Sequence, residues 1–560
     1  MMTLEAFQQS IIDYLILEKQ FLQEDSEARK NLPLEEKVEK GFALSYAQIV
    51  NNEGMQYELS VEINNTKWRP GDKVLVTAMN SGIIHKAKVI ENNTNNISIE
   101  CSTFLPDDVL YNIEIGEYVM LDAMIGLITN IKEGGSGAFF LKELAEIEQP
   151  YEEGLSSIPE NSIILPERLN SIQTSVCKKI LKRPSIYCVQ GPPGTGKTDV
   201  LSTIANIFSA RKKEVLIISN THQAVNNALA KIHEKSNQSA VVKIGEALKA
   251  QDLDEEIVKA ESYNDYLMLR KVSKRHRNGD IVGMTLHAAI FNMGVRNSGF
   301  KPSIILVDEA GQIPLVQAAA IGTFGCGSVI FIGDDKQMPP IYHEKLENHL
   351  LSVSIFHYLA NLYPSFRERL SVTYRMNEEI TKVVSSNFYE NDGVPLVSSD
   401  FSKNRELTLN SKSDDERIRG ILNMPPSIQR YNVTSQDIYE DQNIEEASFI
   451  AHLIKEAISC GMNISDIAVI TPYRRQVRLI REKVIEELQS EEVPLIDTVE
   501  RLQGQDVDLI ILCFSVSSPQ YFKTAKSFLF NPNRLNVMIS RAKKKVVIIA
   551  SDIVQKDLRL

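Results

Sequence analysis

The spacing of apolar residues separates the chain into regions of different secondary structure. From Leu4 to about Lys40, apolar positions recur at helical intervals and then give way to a mixture of acidic and basic residues, which predicts an amphipathic helix packed on the protein body. From Phe42 to about Leu144, short alternating segments such as VLVTAM and NISIE are separated by turn-forming Asn and Gly. This alternation predicts a small antiparallel barrel.

Near-continuous apolar segments alternate with helical ones beyond about Pro166. The first series is YCVQ, VLIIS, IILVDEA and VIFIGD, and the second, after Ser354, is IAVITPY, LIILCFS and KVVIIAS. Such strands are typical of parallel sheets covered by helices on both faces, so two α/β domains are predicted. The expected division is a helical segment over residues 1–41, a barrel over 42–150, and α/β domains over 151–350 and 351–560. Charged residues from about 246 to 280 are expected to form a helical insertion without a strand of its own.

Composition and charge narrow the class of protein. The length of 560 residues is sufficient for several domains. No apolar run approaches the roughly 18 residues of a membrane span, and the N terminus lacks a basic start followed by an apolar core. We therefore expect a cytoplasmic protein. The formal net charge of -12 argues against a protein that coats nucleic acid by bulk electrostatics, but it leaves room for a local basic groove.

The cysteines give no metal-binding pattern. They lie far apart, with no CxxC pair and no His at metal spacing, so reduced thiols and no structural zinc are expected. They are Cys101, Cys177, Cys188, Cys326, Cys460 and Cys513.

The segment GPPGTGKT follows an apolar strand and opens a helical run. Glycines in such a loop let backbone N–H groups close around phosphates at a helix N terminus, Lys197 can reach the β- and γ-phosphates, and the Thr198 hydroxyl can bind Mg²⁺. A glycine-rich structural turn would not explain the Lys and the Thr. The segment therefore predicts a site for ATP and Mg²⁺. Its residues are Gly191, Pro192, Pro193, Gly194, Thr195, Gly196, Lys197 and Thr198.

Two further apolar strands end in residues suited to phosphate chemistry. Asp308 and Glu309 follow IILV, where a P-loop enzyme needs one carboxylate for the metal and one to orient or deprotonate water. Gln337 follows VIFIGDD, at the end of a strand where open α/β sheets bind ligands, and its amide could sense the γ-phosphate.

These motifs, in this order, resemble those of superfamily 1 helicases, in the branch containing the nonsense-mediated-decay helicase and the immunoglobulin mu-binding helicase. The resemblance covers about Leu169 to Ser551 and implies two tandem RecA-like P-loop domains. The segments that carry it are LNSIQ, GPPGTGKT, SNTHQAVNNAL, DEAGQ, GDDKQMPP, LSVTYRM, ITPYRRQ, ERLQGQD and NRLNVMISRAK.

The resemblance assigns roles at the nucleotide. Gln173 is similar to the family's adenine-reading glutamine, and Tyr374 to its adenine-stacking aromatic residue. Arg375 and Arg541 resemble two arginines that reach the γ-phosphate from the second domain, where a guanidinium can neutralise charge developing during phosphoryl transfer.

Other assignments by resemblance are more local. Gly504 resembles a glycine whose amide approaches the γ-phosphate, and Glu446 resembles a ribose-side acid, although an acid on an amphipathic helix is usually solvated. The chain departs from the family at Asn226, where many members have Asp. It departs again at Gln505 and Asp506, which replace the usual basic residue and Glu.

Candidate nucleic-acid contacts come from two sources. Arg474 and Arg478, with Arg481, share one helix face that could follow a phosphate backbone, but a solvated face balanced by nearby acids is equally consistent with the spacing. The resemblance instead favours small polar groups at strand ends. These are Ser219, Asn220 and Thr285.

The sequence thus predicts a nucleic-acid-stimulated ATPase that moves on single-stranded DNA or RNA, with 5′ to 3′ polarity implied by the resemblance. An ATP-switched clamp or remodeller without processive unwinding would carry the same motifs. An inactive scaffold is disfavoured by the intact phosphate loop and its acidic and arginine partners. The choice between DNA and RNA rests on 2′-OH contacts that no motif here reports.

Overall fold

The computed structural model describes residues 3–559 except for 67, 69–71, 94, 117–119, 136, 153–164, 236–239, 273–277, 292–299, 391–392, 435–436 and 501–504. The described chain has mixed α/β architecture, with a barrel, two mainly parallel sheets and an N-terminal helix, in agreement with the predicted fold class. No helix among the described residues is both long enough and apolar enough to span a bilayer.

The N-terminal segment contains two helices, α1 (Leu4–Lys30) and α2 (Leu34–Glu39). Thr3 caps α1 by accepting a hydrogen bond from the Ala6 amide at 3.2 Å, and the acidic first turn and basic last turn suit the helix dipole. Its apolar face, including Ile11 and Leu15, is buried against the first α/β domain. The predicted amphipathic helix on the protein body is therefore present.

The barrel closes in the strand order β1-β2-β5-β4-β3-β6, with every neighbouring pair antiparallel. Inward-facing residues such as Tyr57, Val76 and Ile99 alternate with exposed ones and form a separate core. The strands are β1 (Ala43–Glu53), β2 (Gln56–Ser60), β3 (Lys73–Ala78), β4 (Ile84–Asn92), β5 (Asn96–Cys101) and β6 (Leu110–Ile115).

The barrel is shorter than the expected range of 42–150. After β6 the chain forms α3 (Met120–Thr129) and α4 (Ala138–Leu144). Their buried residues Met124 and Leu141 belong to the apolar core that also contains α1 and one face of the first parallel sheet. These helices therefore pack on the first α/β domain instead of completing the barrel.

The first parallel sheet has eight strands in the order β10-β9-β11-β8-β12-β13-β7-β14. Its central strands are buried along their whole length and carry apolar side chains to both faces. The strands are β7 (Ile186–Gln190), β8 (Val215–Ser219), β9 (Val241–Ile244), β10 (Val258–Ala260), β11 (Ile281–Thr285), β12 (Ile304–Val307), β13 (Val329–Gly333) and β14 (Arg367–Arg369).

Helices cover both faces of this sheet, and separate apolar cores form on the two sides. The helices are α5 (Ser171–Leu181), α6 (Lys197–Ala210), α7 (His222–Glu234), α8 (Tyr263–Val272), α9 (Leu286–Phe291), α10 (Leu315–Ala318) and α11 (Ile355–Leu362). Short 3₁₀ segments occur at Ala247–Ala250, Ala310–Gln312, Ala319–Phe324, Glu344–Leu346 and Pro364–Phe366.

Two of the strands that the sequence did not predict contradict the expected organisation. β10 falls inside the charged segment at 246–280 and pairs with β9, so the prediction of an insertion without a strand was wrong. β14 lies beyond the expected boundary at residue 350 and pairs with β7. Both strands are three residues long and contain Lys, Glu or Arg, so they lack the apolar run by which a buried strand is found.

The second parallel sheet has five strands in the order β17-β21-β20-β18-β19. They are β17 (Ile428–Asn432), β18 (Ile467–Ile470), β19 (Leu495–Asp497), β20 (Val507–Cys513) and β21 (Ala542–Ala550), and the short parallel pair β15 (Val372–Thr373) and β16 (Val397–Ser398) precedes them. The helices are α12 (Glu378–Val384), α13 (Glu416–Leu422), α14 (Ile444–Ser459), α15 (Arg474–Leu488), α16 (Pro519–Leu529), α17 (Pro532–Ile539) and α18 (Asp552–Asp557), with a π segment at Ser385–Tyr389 and a 3₁₀ segment at Ile464–Asp466.

Candidate nucleotide site and nucleic-acid groove

The phosphate loop connects β7 to the start of α6. Gly194 and Gly196 have φ angles of +72° and +80°, a left-handed conformation that glycine adopts without steric cost. The Lys197 stem lies across Gly191, where a Cβ would come within 2.1 Å of Lys197 Cγ. The ammonium donates a hydrogen bond to the Gly191 carbonyl at 2.7 Å. The loop is therefore folded as an anion cradle at a helix N terminus, and its lysine is held within it.

Gln173 is packed directly against this loop. It is 3 % exposed, its Nε2 donates to the Thr195 carbonyl at 3.0 Å, and its Oε1 accepts from the Asn170 amide at 3.0 Å. The Asn170 side-chain amide donates to the Tyr374 hydroxyl at 2.9 Å. Each amide atom of Gln173 keeps one further hydrogen-bonding position. Asn170 links the predicted glutamine to the predicted aromatic residue, and both of these contact the loop.

Asp308 and Glu309 follow β12 and differ in their surroundings. Burial raises the pKa of Asp308, the charge of Glu309 raises it further, and Lys197 opposes both. The Glu309 amide donates to Asp308 Oδ1 at 3.0 Å, and Glu309 itself has a φ of 51°. A non-glycine residue in this left-handed region stores backbone strain.

The chemistry of these groups fits a magnesium ion. Asp308 supplies a buried carboxylate whose charged form is costly until a cation is near, and Thr198 supplies a hydroxyl at the start of α6. Mg²⁺ prefers oxygen ligands and is usually held by one or two protein groups together with phosphates and water. The described residues contain no cluster of three or more acidic, His or Cys side chains that could hold a metal alone.

Gln337 is buried where the two α/β domains meet. Its Nε2 donates to Asp334 Oδ2 at 2.8 Å, and the same carboxylate accepts the Tyr389 hydroxyl. From the second domain, the Asn533 amide donates to the Asp335 carbonyl at 3.0 Å. The Gln337 amide thus faces Asp334 in this conformation. The segment that contains Gln337 is hydrogen-bonded to the second α/β domain.

Arg375 belongs to a segment that rests on the phosphate loop. The Thr373 hydroxyl donates to the Pro193 carbonyl at 2.9 Å, and the Tyr374 amide donates to the Gly194 carbonyl at 2.8 Å. The Arg375 guanidinium donates to the Ser540 carbonyl at 2.9 Å. The second domain therefore contacts the loop directly.

Arg541 lies at the cleft immediately before β21. It is 6 % exposed, and its pKa is lowered to about 10, mainly by burial and then by the charge of Arg375, while Asp506 and Glu309 act in the opposite direction. Asp506 Oδ1 lies 2.7 Å from Arg375 NH2 and 3.8 Å from Arg541 NH1. The structure thus brings both predicted arginines to the cleft. It adds Asp506, which the sequence marked only as a departure from the family.

Glu446 is placed elsewhere, so the expected ribose contact is not available in this conformation. It lies in the first turn of α14 and is 0 % exposed. Its Oε2 accepts hydrogen bonds from the Cys513 thiol at 3.1 Å and from the Ser515 amide at 3.0 Å. Burial raises the pKa of Glu446 to about 7. Its role here is to tie α14 to the end of β20. Gly504 lies outside the described residues.

Three residues at strand ends of the first sheet were predicted to contact nucleic acid. Two of them are buried neighbours of each other, and the third lies on the surface. Ser219 and Thr285 are the paired last residues of β8 and β11, and both are buried. The Thr285 hydroxyl accepts from the Ala288 amide at 3.1 Å and caps α9. Asn220 is exposed, and its side-chain amide donates to the Gln312 carbonyl at 3.2 Å. Among them, Asn220 presents the accessible polar group.

Arg474 and Arg478 contact the barrel in this conformation. Arg474 NH1 donates to the Thr66 carbonyl at 3.1 Å, and Arg478 NH2 donates to the Asn64 carbonyl at 3.3 Å and to the Asn65 side chain. The sequence left two alternatives for this helix face, a phosphate-binding stripe or a solvated surface. In the structure, these two arginines instead bond to the barrel. They join the second α/β domain to the barrel.

A basic cluster between the barrel and the first sheet was missed by the motif analysis. Lys88 of β4 and Lys249 lie 3.3 and 3.7 Å from the Glu246 carboxylate. Burial and then the charges of Lys243, Lys249 and other cations lower the pKa of His222 to about 3. The single lysine in the apolar strand VVKI was the available signal. Lys88 and Lys249 pair with Glu246 but stay partly exposed, whereas Lys243 is buried, so Lys88 and Lys249 are the candidate contacts for an anionic ligand.

Comparisons with known proteins agree with this arrangement. One AAA domain family model matches residues 168–358 and another matches residues 351–552, covering the two α/β domains in succession. With the phosphate loop, the acid pair and the arginines of the facing domain, these matches to AAA domains support the resemblance to superfamily 1 helicases.

The curated relatives include DNA replication ATP-dependent helicase/nucleases. The chain is 29% identical over 405 residues to the Schizosaccharomyces pombe protein dna2, covering 68% of this chain and 28% of the relative. It is 25% identical to human DNA2 over 529 residues, covering 86% of this chain and 48% of the relative. It is also 27% identical to the uncharacterized ATP-dependent helicase MJ0104 of Methanocaldococcus jannaschii, with 69% and 68% coverage. The chain thus spans less than half the length of these DNA2 relatives.

Among solved structures, the chain is similar to the arterivirus nonstructural protein 10 helicase in complex with DNA. The TM-score is 0.41 and the sequence identity is 13%, over 91% of this chain and 80% of that one.

Proposed function

We propose that the chain is an ATP-dependent motor that translocates 5′ to 3′ along single-stranded nucleic acid. The observation that carries the proposal is the assembly of one cleft from both α/β domains. Lys197 and Glu309 come from the first domain, and Arg375 and Arg541 come from the second. A cleft divided between two domains couples nucleotide turnover to their relative movement.

The residues of the cleft have distinct parts in hydrolysis. Lys197 holds the β- and γ-phosphates, while Thr198 and Asp308 are the proposed ligands of Mg²⁺, which neutralises phosphate charge when bound. Glu309 accepts the proton of the attacking water, and the arginines neutralise the charge that develops on the γ-phosphate. Gln337 leaves Asp334 to sense that phosphate, and Gln173 with Tyr374 holds the adenine.

The nucleic-acid track is proposed to lie across Asn220, Lys88 and Lys249. Contacts of this kind are made to phosphates and bring affinity without sequence preference. The relatives are named for DNA replication, which supports DNA as the track. The 5′ to 3′ polarity and the branch of the nonsense-mediated-decay helicase come from the motif resemblance. A cytoplasmic location and the absence of zinc stay predictions from the sequence.

A strand-displacement assay tests the motor. The substrates are duplexes with a 5′ or a 3′ single-stranded overhang, in DNA and in RNA, and ATPase activity is measured on the same preparations. We expect low turnover alone, strong stimulation by single strands, and displacement only from the 5′ overhang. Lys197→Ala is the inactive control, because the phosphates lose their ammonium partner. Equal turnover with and without oligonucleotide contradicts the proposal.

An ATP-switched clamp is the second candidate. The observation that favours it is the contact of the barrel with both α/β domains, through Lys88 to Glu246 and through Arg474 to Thr66. A barrel held on both sides would retain a strand without moving along it. Stimulated hydrolysis and tight binding with no displacement from either overhang would identify the clamp.

A further inference from the structure

Asp506 occupies the space between the two arginines of the nucleotide cleft. Its Oδ1 is 2.7 Å from Arg375 NH2 and 3.8 Å from Arg541 NH1, and its side chain is 30% exposed. The guanidinium groups are much more deeply buried, with side chains 14% and 8% exposed. One carboxylate therefore faces two buried cations.

The arginines are incompletely satisfied by this arrangement. Among the described residues, the buried Nε groups of Arg375 and Arg541 find no hydrogen-bond partner. The charge of Arg375 also lowers the pKa of Arg541, so the two cations repel each other. A phosphate brings more negative charge and three acceptor oxygens, which matches the two positive charges and the free donors better than one carboxylate does.

We propose that Asp506 is a counter-ion that holds Arg375 and Arg541 when no γ-phosphate is present. It competes with the γ-phosphate for the same two guanidinium groups. This inference rests on the proposed ATPase function. It gives Asp506, which is not one of the residues proposed to contact the phosphates, a regulatory role in nucleotide binding. Asp506 is a positioning residue, because it acts on the phosphate only through the arginines.

The competition has a measurable consequence. Removing the carboxylate leaves two buried like charges without their ion-pair partner in the nucleotide-free state, which raises the free energy of that state. A nucleotide with a γ-phosphate relieves this cost, whereas ADP does not reach the arginines. The variant should therefore prefer a triphosphate over a diphosphate more strongly than the parent chain does.

The test compares Asp506→Asn and Asp506→Glu with the parent. The control is Asp508→Asn, which makes the same chemical change two residues away, where the carboxylate pairs with Lys544 at 2.8 Å. Equilibrium affinities for ADP and for a non-hydrolysable ATP analogue are measured without nucleic acid. ATPase kcat and KM are then measured with and without a single-stranded oligonucleotide. Thermal unfolding establishes that each variant is folded.

For Asp506→Asn we expect the analogue to bind about 3- to 10-fold more tightly with ADP affinity unchanged, in line with the loss of one charge-assisted contact. Unstimulated turnover should rise, so the stimulation ratio falls. Asp506→Glu and Asp508→Asn should resemble the parent. Weaker analogue binding together with lower stimulated kcat would overturn the proposal, because Asp506 would then hold the arginines in their productive position.

The affinity ratio is measured without nucleic acid, so it remains readable even if the parent ATPase is not stimulated by single strands. That result would reject the proposed motor without rejecting the counter-ion. An Asp506→Asn variant that folds and keeps the parent ratio would reject the counter-ion without affecting the motor.

Discussion

At the scale of single residues, the acid pair at the end of β12 separates two tasks. Asp308 is 6% exposed and carries a raised pKa, mainly because of burial. Glu309 is partly exposed, and its backbone lies in the left-handed region. A buried acid with a raised pKa suits a cation site, and an accessible acid beside it suits the attacking water.

Glu309→Gln should retain ATP and single-strand binding while hydrolysis falls by about 10²-fold or more, as expected for the loss of a general base. Binding and stimulated hydrolysis are measured on one preparation, with the exposed Glu347→Gln as the control. Hydrolysis within a few-fold of the parent would show that Glu309 is not the base. Loss of ATP binding would show instead that Glu309 has a structural or metal-binding role.

Glu446 gives a prediction about stability and pH. Its pKa is raised to about 7 in the folded protein by burial, from an ordinary value of 4.5. A folded-state pKa above the unfolded one contributes stability that is fully present below the unfolded pKa and is lost as pH rises through the folded pKa. The free energy of unfolding should therefore fall between about pH 4.5 and 7.

Glu446→Gln should remove this part of the pH dependence, because the amide does not ionise. Glu482→Gln, at an exposed position of α15, is the control. Denaturant unfolding at a series of pH values measures the difference. A parallel pH profile for the parent and Glu446→Gln would contradict the assignment.

At the scale of elements, the sequence predicted the parts whose chemistry is local. The loop from Gly191 to Thr198 and the acids after β12 were found because motif, strand and helix are adjacent in the chain. The partners of α15 were not found. Periodicity shows that Arg474 and Arg478 share a face of that helix, but it does not report what the face meets. Asn64 to Thr66 lie about four hundred residues away along the chain.

The same limit explains the other differences. β14 is recognisable only from its pairing with β7, because its sequence RER carries no strand signal. Glu446 has the spacing of a solvated helix residue, and its burial depends on Cys513 and Ser515 from a distant strand. Tertiary contacts between distant segments decide such positions, and residue spacing does not encode them.

The joint replacement of Arg474 and Arg478 by alanine should loosen the barrel from the second domain. We expect dissociation from a single-stranded oligonucleotide to become several-fold faster, since interface contacts act mainly on dissociation rates. Nucleotide affinity without nucleic acid should be unchanged. Arg481→Ala, an exposed position of the same helix, is the control. An unchanged dissociation rate in the double variant would show that the contact between the barrel and α15 does not help to retain the strand.

At the scale of the whole molecule, charge is distributed unevenly. The chain has a net charge of -12, yet Lys88 of the barrel and Lys249 of the 3₁₀ segment Ala247–Ala250 both lie at Glu246. The proposed track lies across these lysines, because the overall negative charge of the chain disfavours a polyanion elsewhere. On this proposal, local charge and not the total determines where nucleic acid binds.

Lys88→Glu should weaken single-strand binding by about tenfold or more at low salt and reduce the salt dependence of the affinity by about one contact. Lys382→Glu makes the same charge change at an exposed position of α12, with a side chain 73% exposed, and should have little effect. Binding is measured by titration at several salt concentrations. Equal losses in the two variants would indicate a general effect of net charge and would exclude the groove as the binding site.

The attachment of the barrel to both α/β domains has a topological consequence. The first domain, the barrel, the second domain and the nucleotide cleft form a ring of contacts, with Lys88 and Glu246 on one side and Arg474 and Thr66 on the other. If the proposed track passes inside this ring, a linear strand can be loaded from an end. A covalently closed circular strand has no end, so its loading would require one contact of the ring to separate.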